Sequence, residues 1–415
     1  MARNRVIYAA EALYAGPSPG TGTHYYNENF RGGLSLSATP YTGSLIRELH
    51  RIQSANYSYN IPHTDVNQYG ELAAIDRIIL EQPTVSLDFS FLAANLQNET
   101  NCGFTMSDNG TWISCISGIL SKSEDERNYF IRTVDEGADA YADPDFYNHA
   151  DGRTIGIGNG FISSYSAEGS IGNFPTVSMN VEALNMEFET ILSGAVIPSV
   201  NPEDGTASTK IYEIPVGISS PTGVLPAYGT DLSANSSYSI SALRPGDITV
   251  TIYDQGQTST TYNDGGPLIT DWKLQSYNFN FDLSREPLQK LGSKYAFSRE
   301  VNFPLTASTS LTADLGDLEA GSLITLINND AAYDIVININ EPGTSTTSIQ
   351  YQLRNAKLDS QEYTSSVGSN KSVSLNFATQ IGGPNQTSVG AFMSGTHNID
   401  NSTRGKKSEW VNATY

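Results

Sequence analysis

The chain has 415 residues, 38% of them hydrophobic, and a formal net charge of −21. That length exceeds one ordinary hydrophobic core and predicts two domains. The acidity excludes a protein that grips nucleic acid or an anionic membrane surface through Lys and Arg.

The N-terminus, MARNRVIYAAEALYAG, does not read as a signal peptide, because Glu11 interrupts a short apolar run and no small-residue cleavage site follows. No stretch approaches the ~20 apolar residues of a membrane helix. A soluble protein made in a cytoplasm, with no membrane binding of its own, is expected. Arg5 to Leu13 reads as a short strand, followed by a Pro/Gly turn and a polar loop around Tyr25 and Tyr26. Leu45 to Ile61 reads as a long strand that Pro62 ends, since proline lacks the N–H a ladder requires. His63 to Gly70 reads as a loop, and the Ile and Leu content of Glu71 to Leu80 leaves helix and strand both open. Val85, Leu87, Phe89 and Phe91 alternate with Ser86, Asp88 and Ser90, the period of a half-buried strand.

Residues 95–115 read as a polar loop carrying both cysteines, Cys102 and Cys115. Free thiols suit a chain otherwise without cysteine better than a loop disulfide does, though the spacing allows either. SKSEDERNYFIRTVDE, Ser121 to Glu136, is the strongest helix candidate. Ser123 suits its N-cap, acidic residues crowd its first turn, and Tyr129, Phe130 and Val134 offer a buried stripe. An acidic loop follows, then two strands, GFISSYSAEG and PTVSMNVEALN. Val196 to Gly205, with Pro198 and Pro202, reads as a linker between domains 1–200 and 201–415.

The second half repeats the first. Gln53, Ser54, Asn56 and Gly70 match Gln275, Ser276, Asn278 and Gly292 without a gap, and Arg77 falls on Arg299. Ala55, Tyr57, Tyr59 and Ile61 face one way; Ser54, Asn56, Ser58 and Asn60 face the other. In the second copy Tyr277, Phe279, Phe281 and Leu283 oppose Ser276, Asn278, Asn280 and Asp282. Leu315 to Asn329 takes the helix position, and Ile335 to Asn340 is a strand. Val373 to Phe377 then match Val177 to Val181, with Gly368 on Gly172. The fold class expected is mainly β: two tandem β-sandwich or barrel domains, each with a flanking helix. Tyr57 and Phe279, and Tyr59 and Phe281, should occupy equivalent core positions.

Catalytic signatures are missing. None of the five histidines sits at a metal-ligand spacing, and the cysteine pair has no histidine nearby. GIGNGF, Gly156 to Phe161, runs into strand-like residues rather than a helix, so it reads as a turn and not a dinucleotide loop. No Walker lysine or G-x-S-x-G elbow occurs. Asp135, Glu136, Asp139, Asp143 and Asp145 read as a solvated acidic loop, since the glycine and glutamate of a calcium-binding order are missing. Nothing singles out a carboxylate pair for glycoside hydrolysis. The expectation is a protein with no enzymatic activity, cofactor or metal.

The run LHRIQSANYSYNIPHTDVNQYGELAAIDRIILEQPTVSLDFSFLAANL, followed by IGIGNGFISSYSAEGSIGNFPTVSMNVEALN, resembles tail tube proteins of tailed bacteriophages. The resemblance covers the repeated strands, about half of the chain by the repeat pattern. It implies a β-sandwich unit whose inner strands join those of neighbours in a β-barrel around a DNA channel. It implies a subunit with two such units, homotrimeric rings stacked into a tube, and a place in the virion after assembly in the host cytoplasm. Implied partners are further copies of the chain, the tape measure protein, sheath or terminator proteins, and double-stranded DNA in passage. Lining positions would be Ser54, Asn56, Ser58 and Asn60 with Ser276, Asn278, Asn280 and Asp282. Their side chains are short and carry no positive charge to hold a phosphate. A solvated outer sheet would give the same alternation; the duplication and the net acidity favour a bore. Ring-stacking contacts would come from His63 to Leu80 and Gln289 to Asn302, with Asn67, Gln68, Tyr69 and Gly70 and Gln289, Lys290, Leu291 and Gly292 at the tips. A baseplate hub that initiates the tube and a β-sandwich host-binding module are the alternatives.

Overall fold

The computed structural model describes residues 11–17, 47–107, 112–120, 125–133, 153–188, 196, 198–201, 243–254, 273–292, 295–314, 331–365, 370–384 and 386–395. The protein is mainly β, with large antiparallel sheets. In the first half, β1 (Glu11–Pro17) and β2 (Arg47–Glu48) precede β3 (Ile52–Asn60). A small hairpin of β4 (Thr64–Val66) and β5 (Asp76–Ile78) leads to β6 (Thr84–Leu92). Two short helices, α1 (Gln97–Asn101) and α2 (Ser117–Leu120), come before β7 (Glu126–Thr133). The long β8 (Arg153–Ser170), then β9 (Thr176–Ala183) and β10 (Asn185–Phe188), complete this half.

The second half opens with β11 (Ile248–Asp254) and β12 (Lys273–Asp282). The hairpin of β13 (Arg285–Leu288) and β14 (Ser298–Val301) leads to β15 (Thr306–Asp314). Strands β16 (Tyr333–Asn340), β17 (Thr347–Thr364), β18 (Ser372–Gln380) and β19 (Gly390–Gly395) follow.

Strands β3, β6, β9 and the C-terminal half of β8 pair in that order. Strands β12, β15, β18 and the C-terminal half of β17 pair in the same order. The two groups join where β8 meets β12, which gives one antiparallel sheet, β3-β6-β9-β8-β12-β15-β18-β17. No barrel closes among the described residues.

The long strands leave this sheet for a second layer. The N-terminal half of β8 pairs with β7 and β10, and the N-terminal half of β17 pairs with β16 and β19. Each turns its corner at an asparagine in the left-handed region, Asn159 at φ 55° and Asn355 at φ 56°, where asparagine is tolerated better than branched residues. A register shift follows each corner, between Ile162 and Ser164 and between Leu358 and Ser360. Such bulges bend a strand and let it change sheets. The same correspondence holds at Ile52/Ser54 and Leu274/Ser276. Gly70 and Gly292, near the hairpin tips, also share positive φ, 96° and 86°.

The helix expected over Ser121–Glu136 is instead β7 from Glu126 to Thr133. Tyr129, Phe130 and Ile131 are consecutive and all buried, because β7 lies between β1 and β8 with both faces covered. Burial on both faces removes the alternation that marks a strand. Helix does occur between β6 and β7, but as the short α1 inside the 95–115 segment expected to be a polar loop and α2 just after it; most of the described residues of that segment are buried. The second helix candidate, Leu315 to Asn329, and the acidic cluster at Asp135, Glu136, Asp139, Asp143 and Asp145 lie outside the described residues. So do Gly368 and residues 5–10 of the strand expected over Arg5 to Leu13, whose last three residues begin β1.

GIGNGF is not a turn. It lies inside β8, and its glycines make room for the segment expected to be a linker. Val196, Pro198, Ser199 and Val200 are buried against β8. Ser199 Oγ donates to Asn128 Oδ1 at 2.9 Å and Val200 N–H to Asn159 Oδ1 at 2.8 Å. A Cβ on Gly158 would overlap the Pro198 carbonyl. Gly158→Ala is therefore expected to cost about 2 kcal/mol or more through overpacking. Gly383→Ala, where an added Cβ meets open space, should leave stability nearly unchanged. Thermal melts of the two variants check this, and equal melting temperatures would contradict the packing described.

Candidate functional site

The eight-stranded sheet has two chemically opposite faces, and the inner one builds the core. Leu87, Phe89, Val181, Met179, Phe377 and Leu375 are among its fully covered residues. At the junction of the two strand groups, Tyr165 of β8 stacks on Phe281 of β12 at 5.3 Å between centroids. Phe279 stacks on Tyr351 of β17 at 4.9 Å, and Phe104 meets Tyr165 edge-on at 5.3 Å. Gly169 lies beneath the Tyr277 ring, so the small residue on β8 admits the large one on β12.

A buried polar chain runs through this aromatic cluster. The Tyr165 hydroxyl donates to Glu99 Oε1 at 3.1 Å and shares a 3.0 Å hydrogen bond with the Tyr351 hydroxyl. Glu99, on α1, is fully buried. Its other oxygen, Oε2, meets no partner among the described residues. Desolvation pushes the Glu99 carboxyl up to about 8, against the smaller opposing effects of its own backbone and the Tyr165 hydroxyl. Cys102 and Cys115 are free and buried, and burial pushes both thiols up to about 12, so neither is a reactive thiolate.

The opposite face of the sheet is polar from end to end. Ser54, Asn56, Ser58 and Asn60 on β3 stand opposite Ser90, Asp88, Ser86 and Thr84 on β6. Ser276, Asn278, Asn280 and Asp282 on β12 stand opposite Ser170, Glu168, Ser166 and Ser164 on β8. The structure brings the two sets onto one face of one sheet, with β6, β9 and β8 between them. Serine, threonine and asparagine continue it through Ser308, Ser310 and Thr312 on β15, and Ser374 and Asn376 on β18. Acids punctuate it at Asp88, Glu168, Glu182, Asp282, Asp314 and Glu362. Lys273, opposite Asp314, and Lys357, opposite Ala378, are the two bases facing this array among these paired positions.

The short side chains bond laterally rather than standing free. Ser54 Oγ meets Ser90 Oγ at 2.6 Å, and Ser58 Oγ meets Ser86 Oγ at 2.7 Å. Asn280 Nδ2 donates to Asn278 Oδ1 at 2.7 Å, Ser308 Oγ donates to Asn280 Oδ1, and Asn376 Nδ2 donates to Ser360 Oγ at 2.8 Å. Of these, the Asn280–Asn278 bond runs along β12 and the others cross between strands, where such pairs help fix the register. Chemically the surface offers hydrogen bonds and negative charge, and almost nothing to retain a polyanion. The described residues contain no cluster of His, Cys, Asp and Glu suited to a metal ion.

The two alternating strands matched in sequence, β3 and β12, differ in burial. Phe279 and Phe281 are covered, at 0% and 1% exposure, whereas Tyr57 and Tyr59 are 38% and 39% exposed and do not reach a core. β12 has neighbours on both sides, β8 and β15, while among the described residues β3 pairs with β6 alone. The hairpins differ likewise. Arg285 of β13 makes a bidentate pair with Asp125, one contact at 3.2 Å, and its guanidinium lies over Phe161 at 5.0 Å. Arg299 of β14 contacts Glu182 at 3.3 Å, and the Ala296 N–H donates to Gln82 Oε1 at 2.8 Å. The β13–β14 hairpin is thus fastened across the junction. The β4–β5 hairpin leaves Ile75, Ile78, Ile79 and Leu80 exposed. The tip residues Asn67, Gln68, Tyr69 and Gly70, and Gln289, Lys290, Leu291 and Gly292, are exposed, with Tyr69 and Leu291 fully open to solvent.

No protein-family model and no curated protein matches the chain. Solved structures do. The SPP1 tail tube aligns over 41% of this chain and 87% of its own at 12% identity and a TM-score of 0.27. The tail of an empty gene transfer agent particle, computed with sixfold symmetry, aligns over 33% of this chain and 93% of its own at 16% identity and a TM-score of 0.23. The baseplate of the anti-feeding prophage aligns over 36% of this chain and 92% of its own at 11% identity and a TM-score of 0.24.

The buried carboxyl gives a pH test. Between about 4.5 and about 8 the unfolded chain ionises Glu99 while the native chain keeps it protonated. The unfolded state then binds fewer protons, so this residue makes stability fall as pH rises through that window, by a few kcal/mol at most. Glu99→Gln is expected to flatten that fall. Urea midpoints at pH 5 and pH 8 should differ less in the variant than in the wild type, and an unchanged difference would show that Glu99 ionises normally in the native state.

Proposed function

We propose that the chain is a structural protein of a phage-type tail, forming the wall of the tail tube with its polar sheet face turned to the bore. The observation that carries this is the continuous face of Ser, Thr, Asn and acids across the sheet from β3 to β17, nearly free of bases. A wall that DNA must traverse should hydrogen-bond water and repel phosphate, since each Lys or Arg that neutralised a phosphate would slow the passage. In this reading the duplex is a passing cargo and not a ligand.

The chain is a duplication of one tube unit, with domains 1–200 and 201–415. Matching corners at Asn159 and Asn355, matching bulges and the repeated pairing order support this. A homotrimer of two-unit chains closes a ring of pseudo-sixfold symmetry, a short route to a tube without free edges. The exposed β4–β5 and β13–β14 tips supply contacts between stacked rings, and the tape measure, sheath or terminator proteins meet the assembled tube. The protein acts in the virion and has no catalytic role.

Asn56 and Asn278 lie on the polar face of equivalent strands. The combined change Asn56→Lys and Asn278→Lys leaves the apolar face untouched, so tubes should still assemble. Particles carrying it are expected to eject DNA more slowly, and the more so at low salt, where screening is weak. Ejection at the wild-type rate at low salt would mean that these strands do not line the bore.

A further inference from the structure

The junction inside the chain is a template for the junction between chains. Within the chain, β8 and β12 pair Glu168 with Asn278, Ala167 with Phe279, Ser166 with Asn280, Tyr165 with Phe281 and Ser164 with Asp282. Strand β3 has the register of β12: Tyr57 lies opposite Leu87 as Phe279 lies opposite Thr309, and each strand is offset by the same bulge. The C-terminal half of β17 has the register of β8, since Leu358 lies opposite Phe377 as Ile162 lies opposite Val181. Yet among the described residues neither β3 nor this half of β17 has a partner on its outer edge. The sheet ends in two open edges that are counterparts of the two strands joined at its centre.

We propose that β3 of one chain pairs antiparallel with the C-terminal half of β17 of a second copy, in the register of the β8·β12 junction. This rests on the tube reading and fixes its contact at residue level. Asn56 then stands opposite Thr364 of the other copy, Tyr57 opposite Tyr363, Ser58 opposite Glu362, Tyr59 opposite Gln361 and Asn60 opposite Ser360. The exposed aromatic residues fall where this register puts them. Tyr57, Tyr59 and Tyr363 are 38%, 39% and 47% exposed in the free chain, and pairing brings all three onto the apolar side of the new ladder. Most of the exposed large hydrophobic residues among those described lie on β3 and the segment after it, ending at Leu80. A second copy would cover them, as the first half covers the β13–β14 hairpin.

The two junctions are not equally strong. Internally, Arg285 pairs with Asp125 and lies over Phe161. The matching positions hold His63, Ala331 and Lys357. The outer junction lacks that bidentate ion pair and relies on the backbone ladder and aromatic contact, which suits a joint that forms only on assembly.

Paired cysteines test the register. Opposed Cα atoms in an antiparallel ladder lie about 4.5–5.5 Å apart, within disulfide range, and diagonal neighbours at about 7–8 Å do not. Three double variants are compared in assembled protein under mild oxidation: Ser58→Cys with Glu362→Cys, Ser58→Cys with Ser360→Cys, and Ser58→Cys with Thr364→Cys. The native Cys102 and Cys115 are buried and stay silent. Asn56→Cys with Thr364→Cys serves as a second in-register pair should the first impair folding. The expected result is a ladder of linked chains on a non-reducing gel for the in-register pairs, and little for the shifted ones. Assembled particles in which a shifted pair links best, or none links, would overturn this register while leaving the tube reading standing. A protein that stays monomeric at every concentration, by sedimentation, would overturn both.

Discussion

The pairing of β8 with β12 is the constraint on which the rest of the molecule depends. It is the ladder that joins the two four-strand groups, and it places Tyr165, Phe279, Phe281 and Tyr351 in one aromatic cluster. Glu99 reaches that cluster from α1 and accepts the Tyr165 hydrogen bond. Arg285 and Arg299 lock the outside of the same junction through Asp125, Glu182 and Phe161. Without it, β12 would lack a second neighbour, as β3 does among the described residues, and Phe279 and Phe281 would be exposed as Tyr57 and Tyr59 are.

Because the junction keeps the alternation of both groups in phase, the polar face runs across it without a break. A shift of one residue would turn every serine and asparagine of one group into the core. The bulges at Ile162/Ser164 and Leu358/Ser360 are part of the same arrangement, since they let one continuous strand serve the polar-faced sheet and then the covering layer. Among the described residues each end of the sheet is an edge without a partner strand, and self-association is how such edges are ordinarily covered.

Much of this was legible in the sequence wherever one face of a strand is buried and the other wet. The alternations within β3, β6, β9, β12 and β18 are strands in the structure, but the single strand expected over Leu45 to Ile61 is broken at Arg51, at φ 60°, into β2 and β3. The misreadings have local causes. In β7 the run Tyr129-Phe130-Ile131 is covered on both sides, so the period of two is lost, and the acidic residues before it imitate a helix start. The glycines of GIGNGF carry the same signal for a turn as for a close backbone approach, and only the position of Pro198 distinguishes the two. The eight candidate lining residues do share a face, but burial could not be read from their strands. Tyr57 and Phe279 stand in equivalent patterns, and it is the neighbour on the far side that covers one and not the other. Glu99 carried no motif; a lone glutamate between Asn98 and Thr100 in a polar-looking segment gave no sign of burial.

A bore-lining role requires the polar face to point inward once chains assemble. A cryo-EM reconstruction of the purified, assembled protein measures that directly. The expected result is a hollow ring or tube in which β3, β6, β9, β8, β12, β15, β18 and β17 of each chain line the bore, with Asn56, Asn278 and Asn376 facing its axis. A particle with these asparagines on its outer surface, or a solid assembly without a bore, would contradict it.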